Sequence, residues 1–142
     1  MRSVRRGTSY LVGMAAVLVM ALVSAVPAGA TTSTWTLEDI GQKICLGPTG
    51  WPNTYVFAPV TGTWDTPIRT GIRNLPAGSI DHGGDVLPPG SNHGNHINGW
   101  IFVSFAPAPA GDHVAEVWAS DGKVTQTAPV LLRYGQKSYG CW

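Results

Sequence analysis

Residues 110–133 spell out a β-hairpin, and nothing else in the chain constrains the fold as much. The stretch reads AGDHVAEVWASDGKVTQTAPVLLR. Asp121-Gly122 favours a two-residue turn in which both central residues take positive φ. Such a turn pairs Ser120 with Lys123, Ala119 with Val124, Val117 with Gln126, Ala115 with Ala128 and His113 with Val130. Directly opposed residues share a face. One face then carries His113, Ala115, Val117, Ala119, Val124, Ala128, Val130 and Leu132. The other carries Val114, Glu116, Trp118, Thr125, Thr127 and Arg133. Gln126 and Trp118 are the clearest exceptions to this sorting of apolar from polar. A slip of one residue would destroy it. Pro129 has no N–H to give a ladder, which predicts a sheet edge or a bulge at that point.

The N-terminus reads as an address. Arg2, Arg5 and Arg6 precede an apolar run over residues 11–23, and Ala28-Gly29-Ala30 is a small-residue cleavage pattern. These are the parts of a secretory signal peptide over residues 1–30, cut near Ala30. The apolar run has about 13 residues, short for a bilayer span. The mature chain is therefore expected to be extracellular and without a transmembrane segment. Arg5-Arg6 leaves Tat export open beside Sec.

Cleavage leaves residues 31–142 as one domain. Losing three arginines takes nine basic residues to six against eight acidic, a net charge of −2. Without a basic patch, nucleic acid is not an expected partner. Cys45 and Cys141 are expected to form one disulfide in an oxidising compartment. The bridge would close a 96-residue loop, which contributes roughly 4–5 kcal/mol at most on the chain-entropy argument.

Short strand signals recur with turn residues between them. They fall at residues 34–39, 42–46, 54–60, 63–70 and 99–105, ahead of the two hairpin strands. Residues 47–53 read as a turn-rich loop containing Trp51. Residues 99–105 (GWIFVSF) are nearly all apolar, as a central strand would be. About seven strands and no amphipathic helix predict an all-β, two-sheet antiparallel sandwich.

Two resemblances bear on this reading. Pro109-Ala110-Gly111-Asp112-His113 followed by Val117 resembles the approach to a late strand of immunoglobulin-like domains. A tyrosine usually stands at that corner; here it is His113, and an imidazole could make a similar bond. The resemblance implies an immunoglobulin-like sandwich, although Cys141 lies beyond the last strand. The mature chain is also similar to an uncharacterised family of small secreted actinobacterial proteins. The matching pieces are Ala58-Pro59-Val60, Gly62-Thr63-Trp64, Pro88-Pro89-Gly90-Ser91-Asn92, Ile97-Asn98-Gly99 and Trp118-Ala119-Ser120-Asp121-Gly122. That family implies no activity.

Residues 71–98 read as a long loop rich in Gly and Asn. They hold His82, His93 and His96, with Asp81 and Asp85. Loops of this length are uncommon unless functional or mobile. His93-x-x-His96 with His82 or an aspartate could supply three ligands to a transition metal, but no specific metal signature is present. Asp81 and Asp85 could serve calcium, but the EF-hand pattern is missing. The plainer reading, a polar surface loop, is preferred. No nucleophile elbow occurs, and no carboxylate pair suggests glycoside hydrolysis. No enzyme activity and no cofactor are expected.

The tryptophans are the remaining lead. Trp35, Trp64 and Trp100 are assigned to the core, while Trp51 in its loop and Trp118 on the outer hairpin face are candidates for contact. Exposed indoles supply large rigid area with a polar handle. The expectation is a secreted, non-catalytic β-sandwich with a binding or structural role. Its ligand would be a glycan or an extracellular protein, with contacts drawn from Trp51, Trp118, His82, His93 and His96. The alternative is a metal-binding or metal-dependent protein using the histidines of residues 71–98.

Overall fold

Nine strands account for nearly all the regular structure in the computed structural model, which describes residues 33–135. They are β1 (Trp35–Leu37), β2 (Lys43–Leu46), β3 (Trp51–Gly62), β4 (Ile68–Arg73), β5 (Ile80–Gly84), β6 (Val86–Leu87), β7 (His96–Phe105), β8 (Gly111–Ser120) and β9 (Thr125–Tyr134). One sheet runs β1-β3-β7-β5 and the other β2-β9-β8-β4-β6. The two curl against each other as a sandwich. The first order reproduces the A-B-E-D arrangement of immunoglobulin-type domains, and β9-β8-β4 the G-F-C arrangement. In such domains an extra strand beside C precedes D. Here β6 follows β5, so the chain crosses to the four-stranded sheet and back before entering β7. Among the described residues no helix is long and apolar enough to cross a membrane.

One pairing departs from the antiparallel expectation: β2 runs parallel to β9, with Lys43 opposite Leu131 and Leu46 opposite Tyr134. This bears on Pro129. The amide of Leu131 donates to Gln42 O at 2.9 Å. Backbone groups two residues apart point the same way in a strand, so Pro129 faces the same side, just before β2 begins. The missing donor therefore leaves no ladder bond unmade, and the β8–β9 register runs through Pro129 without a bulge.

The hairpin forms with its register shifted by two residues from the sequence expectation. Ser120 faces Thr125, Val117 faces Ala128 and Ala115 faces Val130. An even shift keeps every side chain on its predicted face. Ala115, Val117, Ala119, Ala128, Val130 and Leu132 are indeed all buried. The shift arises because Gly122 and Lys123, not Asp121 and Gly122, are the central residues, with Asp121 N–H donating to Val124 O. Only Gly122 takes positive φ (87°) in the turn, as a turn with glycine first requires. Asp121 is free to act from its side chain. Its Oδ1 accepts from the amides of Lys123 and Val124, both at 2.8 Å, and its Oδ2 accepts from Trp35 Nε1 at 2.9 Å.

Those donors hold the Asp121 carboxyl below its ordinary pKa, the Val124 amide most and the Trp35 indole next. A depressed carboxylate stabilises the fold above its unfolded pKa, and that contribution is lost as pH falls through the lower folded value. Urea unfolding of wild type and Asp121→Asn across the acid range is expected to show it. The difference between the two should be full at neutral pH and shrink only below the usual carboxylate range. A pH-independent difference would reject the assignment.

Gln126, inward-facing and polar, is explained by the other sheet. Its Oε1 accepts from Leu37 N–H at 3.0 Å, and its Nε2 donates to Trp35 O at 2.8 Å and to Ser33 Oγ at 3.2 Å. One amide thus ties β9 to the backbone of β1 across the core. A second glutamine does related work at a sheet margin. β1 pairs with residues 60–62 of β3, and Glu38 N–H donates to Pro59 O at 2.8 Å; beyond Pro59 β1 no longer covers the margin of β3. There Gln42 Oε1 accepts from Phe57 N–H at 2.9 Å and Nε2 donates to Phe57 O at 2.6 Å.

Two corners differ from expectation. Trp64 is buried, yet it enters the core from the loop before β4, donating its indole N–H toward Leu87 O and Pro88 O. The His113 ring nitrogen Nε2 pairs with Asn74 O at 2.7 Å, 39 residues upstream, so it does not close the local corner. A tyrosine hydroxyl does reach the segment between β7 and β8, from the facing strand of the hairpin: Tyr134 donates to Ala106 O at 3.0 Å from a buried position.

Candidate aromatic binding face

β3 and β7 lie side by side with Phe57 opposite Trp100 and Tyr55 opposite Phe102. Side chains alternate along a strand. Val56, Ala58, Ile101 and Val103 therefore point into the core, where all are fully buried. Tyr55, Phe57, Trp100 and Phe102 point out. Trp100 is 48% exposed, Tyr55 42% and Phe102 39%; Phe57 is half-buried among them. The rings meet edge to face, Tyr55–Phe102 with centroids at 4.1 Å, Phe57–Trp100 at 4.9 Å and Tyr55–Trp100 at 5.2 Å. Such T-shaped contacts suit the aromatic quadrupole. The rings therefore brace one another into a ridged apolar surface that no described part of the chain covers. The four rings carry no charge; the nearest carboxylate described, Asp85, is bonded to the Trp100 amide.

The flank of this face is polar. His82 on β5 lies within hydrogen-bond distance of Ser104 Oγ, Nε2 at 2.8 Å. Asp85 is spent on backbone: its Oδ2 accepts from Trp100 N–H at 2.9 Å, and its carbonyl accepts from Thr70 Oγ1. Asp81 likewise accepts from Gly83 N–H and from Ile72 N–H of the other sheet. Residues 71–98 are thus not one long loop. They contain the end of β4, all of β5 and β6, and the start of β7. Short, exposed strands give no alternating apolar signal, and β5 has none.

The three histidines are not brought together. His82 bonds a residue at the far end of β7, while His96 opens that strand. Eight residues of strand separate His96 from Ser104, about 26 Å at 3.3 Å per residue. His93 sits at positive φ in the turn before β7 and points to solvent. Among the described residues no three His, Cys, Asp or Glu side chains gather to hold a metal ion.

The tryptophans sort differently from the sequence expectation. Trp35 and Trp64 are core, but Trp100 is not; its apolar neighbours in GWIFVSF hid the fact that only every second residue faces inward. Trp51 opens β3 instead of lying in a loop and is 48% exposed. Beside it is a concavity of about 390 Å³ shared with Cys45 of β2 and Gly50. Cys141 and the signal-peptide residues lie outside the described residues. Trp118 is half-buried on the outer face of the five-stranded sheet. The aromatic face itself could have been found from the sequence. Two aromatic-bearing strands with rings at alternate positions are its signature.

The fold and this face define an all-β sandwich with an uncovered aromatic surface. The chain belongs to a family of unknown function (DUF5980), whose profile matches residues 36–136. No curated protein matches the sequence. Among solved structures the chain is similar to a putative alpha-galactosidase from Bacteroides fragilis, at 16% identity and a TM-score of 0.43. It is also similar to the VesB protease of Vibrio cholerae, at 12% identity and a TM-score of 0.41. The matches cover 71% and 74% of this chain but only 17% and 32% of those proteins.

Proposed function

We propose that this is a secreted, non-catalytic binding domain whose aromatic face takes a neutral polysaccharide. The observation that carries the reading is the exposure of Tyr55, Trp100 and Phe102 around a half-buried Phe57. Exposed apolar patches mark interaction sites. Pyranose rings carry apolar C–H faces that pack on aromatic rings, and the tyrosine hydroxyl and indole N–H offer hydrogen bonds at the margin. Uncharged rings suit the apolar face of a ligand without formal charge. The reading includes removal of residues 1–30 on export and a Cys45–Cys141 bridge, as the sequence suggests.

The test uses protein purified from culture medium, its mass checked for a chain beginning at Thr31 with two fewer hydrogens than the dithiol. Retention on cellulose, chitin and soluble neutral glucans is measured by depletion and affinity electrophoresis. Wild type is expected to be retained on at least one, and Trp100→Ala to weaken retention about tenfold, since buried aromatic anchors dominate binding energies. Failure on every neutral polysaccharide would overturn the glycan reading. Docking of a protein partner on the same rings would then be the competing account.

A further inference from the structure

The outer face of the other sheet presents a different arrangement. Trp118 on β8 stands opposite Gly71 on β4. A Cβ built at Gly71 would meet Cζ2, Cε2 and Nε1 of Trp118 at 2.5, 2.6 and 2.7 Å. Near-equal approach to three adjoining ring atoms means that the indole lies largely face-down on the Gly71 backbone. A glycine there lets the ring lie flat across the sheet, and its uncovered surface lines a cleft of about 350 Å³ with Pro67, Thr66 and Arg69. That volume is at the lower end of small-ligand sites.

Charge on this face is unevenly matched. Arg73 Nε pairs with Glu116 Oε2 at 2.6 Å, and Arg133 pairs with Asp112 through two bonds of 2.7 Å. Arg69 faces Ser120 instead of an acid, and among the described residues its guanidinium has no ion-pair partner. Ser120 is occupied: its hydroxyl bonds Val124 O, Gly122 N–H and Thr125 Oγ1. Asp121, the other charged group of the lining, directs its oxygens to two amides and the Trp35 indole. What remains toward the cleft is a flat aromatic ring beside an uncommitted guanidinium fork.

We propose that this cleft binds the carboxylated ring of an acidic sugar, the apolar ring face stacked on Trp118 and the carboxylate held by Arg69. A planar guanidinium matches a carboxylate bidentately. The proposal does not depend on the aromatic face of the opposite sheet.

The probes are oligogalacturonate and its methyl-esterified form, titrated into the mature protein by calorimetry and tryptophan fluorescence. Wild type is expected to bind the acid more tightly than the ester, with affinity falling as salt rises. Arg69→Gln should weaken binding of the acid about tenfold or more, the ratio carried by a charge-assisted hydrogen bond, and leave the ester unchanged. Gly71→Ala should displace the ring and weaken both. Because that variant also strains the sheet, Arg69→Gln, at an exposed site, decides the matter if Gly71→Ala fails to fold. Trp100→Ala should change nothing here, so failure of this site and failure of the aromatic face are separable. Equal affinity for acid and ester, unaltered affinity in Arg69→Gln, or no binding of the acid would overturn the proposal.

Discussion

Replacing Gln126 with leucine is expected to lower the unfolding free energy by about 1–3 kcal/mol. The substitution strands the N–H of buried Leu37, while Trp35 O loses one of its two donors and keeps Ser33 Oγ at 2.7 Å. Each unsatisfied buried group costs about 1–3 kcal/mol, and the apolar leucine recovers only part of the total. Denaturation in urea should show a lower midpoint with an unchanged slope, the mark of altered stability without altered compactness. Gln126→Glu should also destabilise, because a carboxylate still accepts from Leu37 but sets its second oxygen against Trp35 O, where the amide had donated. A midpoint within error of wild type would mean that β1 is held by its pairing with β3 alone.

The second large effect separates two neighbours on β7. Ile101→Ala is expected to cost about 2–5 kcal/mol, the range for deleting a large aliphatic group from a packed core. Ile101 is fully buried, faces Val56 across the ladder and lies against Gly84, where an added Cβ would approach its Cγ1 to 2.9 Å. Trp100→Ala, one residue away, should cost about 1 kcal/mol or less, because its ring is half in water and loses only two edge-to-face contacts. Thermal unfolding and polysaccharide retention measured on both variants form a cross. Ile101→Ala should unfold early and bind normally below its melting point; Trp100→Ala should melt near wild type and bind weakly. If Trp100→Ala melts as early as Ile101→Ala, the indole belongs to the structure and the binding face loses its main support.

The contrast also marks where the sequence was readable. The hairpin faces were legible because alternation of Ala115, Val117 and Ala119 against Glu116 and Trp118 survives any even shift of register. The turn centre was not. Asp-Gly suits two different loops, and the choice rests on what Asp121 can reach, an indole 86 residues away in the chain. Strand β7 reads from the sequence as an apolar central strand with Trp100 in the core. Continuous apolar runs are characteristic of buried strands, and GWIFVSF is such a run. Only the neighbouring strand shows that Trp100 and Phe102 meet Phe57 and Tyr55 outside the core. β5 and β6 left no pattern because they bury little, and the histidines fell on separate elements once those strands formed. Arg69 went unnoticed because its meaning lies in a partner it lacks.

The Gln42 amide has a consequence beyond local bonding. A strand whose donors and acceptors stand open can recruit an identical strand from another molecule, and natural folds guard against this. At Phe57 the glutamine imitates one peptide unit of a neighbouring strand, occupying both the N–H and the C=O. An intruding segment would have to evict that side chain before its own backbone could dock. At Phe57 the margin of the sheet bearing the exposed rings is thus guarded against growth along its plane, while the surface stays open above it.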